Sequence, residues 1–138
     1  MGKPFGGSAW RLDQGNASAQ GMLGALYYNG DGVPQDYREA IRWSRMAADQ
    51  GDARAQYVLG LMYYNGGGVP QDYVLAYAWI NVAIAGYESD QRAPLVGVRD
   101  GLIRLMNRDQ IAEAQRLSRE IAERIEARER ESEAPPRT

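Results

Sequence analysis

The sequence predicts an all-α protein built from helix–loop–helix units, and three observations carry this prediction. First, a segment of 36 residues is written twice in succession. Second, each copy places apolar residues at helical spacing on both sides of a short glycine-rich loop. Third, each predicted helix follows a residue type that is favoured as an N-cap. Together these observations predict two consecutive units of one architecture.

The duplication is visible without any gap when residues 15–50 are laid over residues 51–86. The two segments are identical at 19 of 36 positions, whereas average residue frequencies would give about two or three. The longest shared stretch reads YYNGDGVPQDY from Tyr27 and YYNGGGVPQDY from Tyr63. We therefore divide this part of the chain into repeat 1 (15–50) and repeat 2 (51–86).

The first helix of each repeat (helix A) begins after Asn16 or Asp52, whose side chains can accept a hydrogen bond from a free amide of the first turn. Gly24 and Gly60 lie inside this helix. A glycine there costs about 1 kcal/mol relative to alanine, so we expect it to permit close approach of another helix. The predicted apolar stripe consists of Ala19, Leu23, Leu26 and Tyr27 in repeat 1, and of Ala55, Leu59, Met62 and Tyr63 in repeat 2.

The second helix of each repeat (helix B) begins at an aspartate, after glycines that turn the chain and a proline that stiffens it. In repeat 1, Asp36 is the predicted N-cap and Glu39 completes a capping box. In repeat 2, Asp72 keeps the cap but Leu75 replaces the glutamate. The residues predicted to face inward are Ala40, Trp43 and Ala47, with Ala76, Trp79 and Ala83 as their counterparts.

The glycine-rich loop raises two alternatives, a phosphate site and a calcium site. It lacks the Gly-Lys-Ser/Thr ending of a phosphate loop and follows a helix instead of a strand. It also lacks the final glutamate of a calcium loop, and Gly67 in repeat 2 replaces Asp31. We therefore interpret the loop as an inter-helix turn, and we expect no cofactor and no metal.

The two ends of the chain do not repeat. We expect residues 87–130 to form capping helices, residues 131–138 a disordered tail, and residues 1–14 an extension or the remnant of a preceding unit. Asn107 and Gln110 form a predicted capping box, and Glu120/Arg124 and Glu126/Arg130 have the spacing of helical ion pairs. The buried positions predicted in the capping helices are Leu95, Val98, Leu102 and Leu105, then Ile111, Ala114, Leu117, Ile121 and Ile125.

Composition excludes several kinds of catalytic and binding site. The chain has no cysteine, no histidine and a single lysine, so it lacks disulfides, zinc sites with Cys or His ligands, and Ser-His-Asp arrangements. A net charge of −2 gives no sign of nucleic-acid binding, and no apolar run is long enough for membrane insertion. The compartment stays open: cytoplasmic, or periplasmic if a leader has been removed.

The repeated residues resemble the Sel-one-like repeat, a relative of the tetratricopeptide repeat. The matching positions in repeat 1 are Ala17, Leu23, Gly24, Tyr27, Gly30, Gly32, Val33, Asp36, Ala40, Trp43 and Ala47, and the same set recurs 36 residues later. The resemblance implies an α/α right-handed superhelix (a solenoid) that acts as a scaffold or adaptor, without catalytic residues. With the excess of arginine over lysine, it points to a bacterial protein.

Helix A carries a second stripe beside the apolar one, and by resemblance to the tetratricopeptide arrangement this stripe lines the concave groove. Tyrosine combines a large contact area with a polar tip, which suits binding interfaces, and the asparagine amides suit a peptide backbone. The alternative is that the tyrosines pack against neighbouring units. The predicted protein-binding residues are Tyr28, Asn29, Arg54, Tyr57, Leu61, Tyr64 and Asn65.

The sequence leaves three alternatives for the function of the chain. The first is an interaction scaffold that binds a protein or peptide in the groove. The second is a hydrolase of the kind associated with cysteine-rich relatives of the family, which the absence of Cys and His disfavours. The third is self-association into a homo-oligomer through the exposed face of repeat 1.

Overall fold

The computed structural model describes residues 16–133, and within them it contains α-helices, one short 3₁₀ helix and no strand. The all-α prediction is therefore confirmed. Residues 1–14, the predicted N-terminal extension, lie outside the described residues. The helices are α1 (Ala17–Asn29), α2 (Tyr37–Asp49), α3 (Ala53–Asn65), α4 (Tyr73–Ala85), the 3₁₀ helix (Ser89–Gln91), α5 (Arg92–Ile103) and α6 (Arg108–Glu133).

The helices stack as two hairpins in the manner of a solenoid. Helices α1 and α2 form the first hairpin, and α3 and α4 form the second. Helix α3 also packs against both α1 and α2, so the two hairpins lie side by side. Helix α4 in turn contacts both α5 and α6, which close the described end of the stack.

Each of the four predicted caps is present. The side chains of Asn16, Asp52 and Asp72 accept a hydrogen bond from the amide three residues later, and Asp36 accepts two. At the other end of helix A, Gly30 and Gly66 both adopt a left-handed φ of 75°, a conformation that favours glycine.

Only one of the two hydrogen bonds of the predicted Asp36–Glu39 capping box forms, the one from the Glu39 amide to the Asp36 carboxylate. The amide of Asp36 donates to the carbonyl of Tyr27 at 3.0 Å, so it has no need of the Glu39 carboxylate. Glu39 lies instead near Arg42, with 3.8 Å between their charged groups. By contrast, the Asn107–Gln110 box is complete in both directions, with hydrogen bonds of 2.8 and 2.9 Å.

The predicted inward positions of helix B are buried in both repeats. Trp43 and Trp79 keep only 8% and 6% of their surface exposed, and the alanines on the same faces are fully buried. Two glutamines missed by the sequence interpretation are also buried. Gln20 accepts a hydrogen bond from Gln50 at 2.7 Å, and Gln56 donates to the carbonyl of Ala48 at 3.2 Å.

The capping helices differ from expectation at three points. Leu105 was predicted to be buried but is 49% exposed, because α5 ends at Ile103 and the following turn buries Met106 in its place. Glu120 pairs with Arg116, while Arg124 approaches Asp49 of α2 at 3.9 Å. Among residues 16–133, neither of the predicted pairs, Glu120/Arg124 and Glu126/Arg130, forms. Helix α6 continues to Glu133, three residues into the predicted tail.

Candidate functional site

The A helices of the two repeats lie next to each other and form one surface, which we call the A-helix face. Helices α1 and α3 contact each other directly. A hydrogen bond of 3.1 Å joins them, donated by the side-chain amide of Asn65 to the hydroxyl of Tyr28. The structure therefore brings these two predicted binding residues together, but as partners of one another.

Tyr28 and Tyr64 also pack against helix B of their own repeats. The ring of Tyr28 lies 5.7 Å from that of Tyr37, and the ring of Tyr64 lies 5.9 Å from that of Tyr73, at nearly the same tilt. Rings at this separation attract each other beyond their buried area. These contacts are the ones that the packing alternative predicts for Tyr28 and Tyr64.

The loop of repeat 2 lies directly against Tyr37 of repeat 1. A Cβ atom added to Gly67 would approach the Tyr37 ring to 3.1 Å, and one added to Gly68 would approach the Tyr37 carbonyl oxygen to 2.9 Å. This contact explains why repeat 2 has glycine at the position of Asp31, since a side chain there would meet the tyrosine of the preceding repeat.

Tyr57 and Leu61 occupy the middle of the A-helix face and are half-buried, whereas Arg54 is exposed at the start of α3. Burial raises the pKa of Tyr57 above its usual value, and the nearby Tyr28 raises it further. Tyr57 packs against the core around α4 and α5, whereas Tyr28 packs against a separate cluster that includes Ala40 and Val58.

Tyr87 continues this line of tyrosines, and the sequence interpretation missed it. Burial raises the pKa of Tyr87, the positive charge of Arg54 lowers it, and Asp52 and Tyr57 raise it again. Tyr87 packs against the same core as Tyr57 and lies within electrostatic reach of Arg54. No repeat signal marks it, because Tyr87 follows repeat 2 and the corresponding positions of the two repeats are Gly15 and Gly51.

The corner around Tyr87 carries two guanidinium groups. Arg92 donates to the carbonyls of Tyr87 and Ala85 at the end of α4, at 2.8 and 3.5 Å. Within residues 16–133, no carboxylate lies within ion-pair distance of Arg54. The neighbouring Asp52 carboxylate caps α3 by accepting from the amide of Ala55. The A-helix face therefore ends in an exposed cation beside a tyrosine.

The comparisons with known proteins agree with this geometry. A family model described as Sel1 repeat matches residues 17–52 and 53–85, which together make up half of the chain. The chain belongs to the Sel1 repeat family. The resemblance inferred from the repeated residues is confirmed. The Sel1 repeats of the chain and their fold suggest a scaffold for protein interaction.

Two solved bacterial structures share the Sel1 fold. One is a protective antigen present in uropathogenic Escherichia coli strains and displaying an SLR fold, with 31% identity and a TM-score of 0.73; the match covers 91% of this chain and 27% of that chain. The other is a Sel1 repeat protein from Oxalobacter formigenes, with 38% identity and a TM-score of 0.51, covering 56% of this chain and 32% of that chain. No curated protein matches.

A concavity that the sequence does not predict lies where α6 packs against the second Sel1 unit, between α4 and α6. Its volume is about 500 Å³, and it opens to solvent. Apolar residues of α4 and α6 form part of its wall, and Arg119, Glu126 and Glu129 contribute charges. The charges have both signs, so this concavity shows no clear preference for a ligand.

Between Asn16 and Glu133, no three acidic side chains are grouped so that they could hold a metal ion. Over the same residues, no helix combines the length and apolar character needed to cross a membrane.

Proposed function

We propose that this chain is an adaptor that binds a protein or peptide on its A-helix face. The observation that carries the proposal is a set of three partly buried tyrosines, Tyr28, Tyr57 and Tyr87, with the exposed Arg54 on the same helix as Tyr57. Aromatic and arginine side chains are the residue types that contribute most energy at protein interfaces.

The contacts support different roles for the predicted binding residues. Tyr57 and Leu61 supply partly exposed apolar surface without a side-chain hydrogen bond in the described residues, so they are suited to contact a partner. Tyr28, Tyr64 and Asn65 already contact other residues of the chain and hold the face in shape. Asn29 lies exposed at the end of α1, where its amide can reach a bound backbone.

Arg54 indicates the chemistry of the partner. A guanidinium group binds carboxylates with paired hydrogen bonds, and Arg54 has no such partner within the described chain. We therefore propose a ligand segment that places an apolar side chain against Tyr57 and Leu61 and a carboxylate against Arg54.

Partner capture from extracts of the source cell tests this proposal. The triple variant Arg54→Ala, Tyr57→Ala, Leu61→Ala should lose the proteins that the wild-type chain retains, since it removes the apolar centre and the cation together. The control is Leu105→Ser, which removes a similarly apolar exposed side chain outside the A-helix face. Circular dichroism should show equal helicity for all three chains. Equal capture by the wild type and a folded triple variant would reject the A-helix face.

A further inference from the structure

The two Tyr-Tyr-Asn-Gly stretches make a matched pair of chemical sites within one chain. Asn29 and Asn65 are both exposed and both end an A helix. The following glycine has φ 75° in both cases. Its amide donates to a helix carbonyl at 2.8 Å in both cases, to Leu26 in repeat 1 and to Met62 in repeat 2. The backbone around the two asparagines is therefore equivalent.

Among residues 16–133, only one of the two side chains has a hydrogen-bond partner. The amide nitrogen of Asn65 donates to the hydroxyl of Tyr28 at 3.1 Å. Within residues 16–133, the side chain of Asn29 makes no hydrogen bond. The difference follows from the stacking order, because the tyrosine that receives Asn65 belongs to the repeat before it.

We propose that Asn29–Gly30 is a spontaneous deamidation site of this chain and that the Tyr28 hydroxyl protects Asn65–Gly66 from the same reaction. Asparagine is a thermolabile residue, and a following glycine offers no side chain to hinder attack by its backbone nitrogen. The two sites share this intrinsic reactivity, so the hydrogen bond to Tyr28 decides which one reacts.

The reaction needs only water. The Gly30 nitrogen loses its proton and attacks Cγ of Asn29, which forms a cyclic imide as the Cγ–Nδ2 bond breaks and ammonia leaves. Water then opens the imide at either carbonyl and yields aspartate or isoaspartate. Because the Gly30 amide is hydrogen-bonded to Leu26, the attack starts from a locally opened helix end, and such openings are most frequent at helix termini.

Opening at Asn65 also requires the loss of the bond to Tyr28. One average hydrogen bond changes an opening equilibrium by about fivefold, so we expect Asn29 to react about five times faster than Asn65. The product places a new carboxylate at the C-terminal end of α1, where the helix dipole disfavours negative charge. Deamidation would therefore weaken the end of α1, at the edge of the A-helix face.

Peptide mapping by mass spectrometry can measure both rates in the same sample. Trypsin separates the two sites, since residues 12–38 and 55–92 form different peptides. The full chain is incubated under mildly alkaline native conditions, and the deamidated fraction of each peptide is measured over time. We expect faster conversion at Asn29 in the folded chain, and a smaller difference between the sites in denaturant.

Two variants isolate the role of the hydroxyl. Tyr28→Phe keeps the ring against Tyr37 but removes the acceptor, so conversion at Asn65 should rise towards the Asn29 rate. Tyr64→Phe is the matched control, because its hydroxyl receives no asparagine among the described residues, and it should change neither rate. Equal rates in the folded wild type, or an unchanged Asn65 rate in folded Tyr28→Phe, would overturn the proposal.

Discussion

Two glycines inside the A helices determine how closely each helix pair can pack. A Cβ atom on Gly24 would lie 2.3 Å from Oγ of Ser44, and one on Gly60 would lie 2.5 Å from Cγ1 of Ile80. Backbone atoms of the B helices are also close, at 3.0 and 3.2 Å. Real side chains do not tolerate such distances, so the absence of a side chain permits the observed approach.

We therefore expect Gly60→Ala to destabilise the fold by about 1–3 kcal/mol, because the helices must separate or Ile80 must leave its preferred rotamer. Urea unfolding followed by circular dichroism measures the change. The control is Gly97→Ala in α5, where an added Cβ would meet nothing within 4 Å. That variant should gain up to about 1 kcal/mol from helix propensity alone. Destabilisation of similar size in both variants would contradict the close-approach role.

The helices of both repeats begin in the same way, although their surroundings differ. The amides of Asp36 and Asp72 donate to the carbonyls of Tyr27 and Tyr63, at 3.0 and 2.9 Å, while their carboxylates accept from the first turn of helix B. Each aspartate thus ties the end of helix A to the start of helix B. This arrangement needs no glutamate three residues later, which accounts for Leu75 in repeat 2.

We predict that Asp36→Ala lowers the free energy of unfolding by about 1 kcal/mol, through loss of the cap. Glu39→Leu, which copies repeat 2, should change it by a few tenths of a kcal/mol at most, since its carboxylate makes only an exposed ion pair with Arg42. Thermal unfolding monitored by circular dichroism distinguishes the two. A loss at Glu39 as large as that at Asp36 would argue for a complete capping box.

Helix α6 covers the hydrophobic core at the junction of the two repeats. Ile121 and Ile125 of α6 join a buried cluster with Ala48, Leu59 and Trp79, so this helix touches residues from both units. Arg128 donates to the carbonyl of Asp49 at 3.4 Å. Helix α6 therefore acts as a brace along the repeats as well as a cap on the last one.

Ile125→Ala should reduce stability by about 2–5 kcal/mol, because it removes buried contacts and leaves a cavity. The matched control is the adjacent Arg124→Ala, whose exposed pair with Asp49 at 3.9 Å is worth less than about 1 kcal/mol. Denaturant unfolding measured by tryptophan fluorescence compares the two variants. If Ile125→Ala were as stable as Arg124→Ala, α6 would not brace the repeats.

The helical units could be predicted from the sequence, because the signals that define them are local. A cap such as Asp52 needs only the amides of its own helix, and Gly30 needs only its own φ. The alternation of small and large residues around Trp79 likewise predicted which side of helix B is buried. Leu105 was misplaced because its position depends on where α5 ends.

The assembly of the candidate site depends on contacts between elements that are far apart in the sequence. The bond from Asn65 to Tyr28 joins residues 37 positions apart, and Tyr87 reaches Arg54 and Tyr57 only after the chain has turned around α4. Such contacts depend on how one repeat is placed against the next, and no residue pattern within a repeat encodes that placement. The units therefore follow from local hydrogen bonding and helical periodicity, whereas the A-helix face exists only through the stacking of those units.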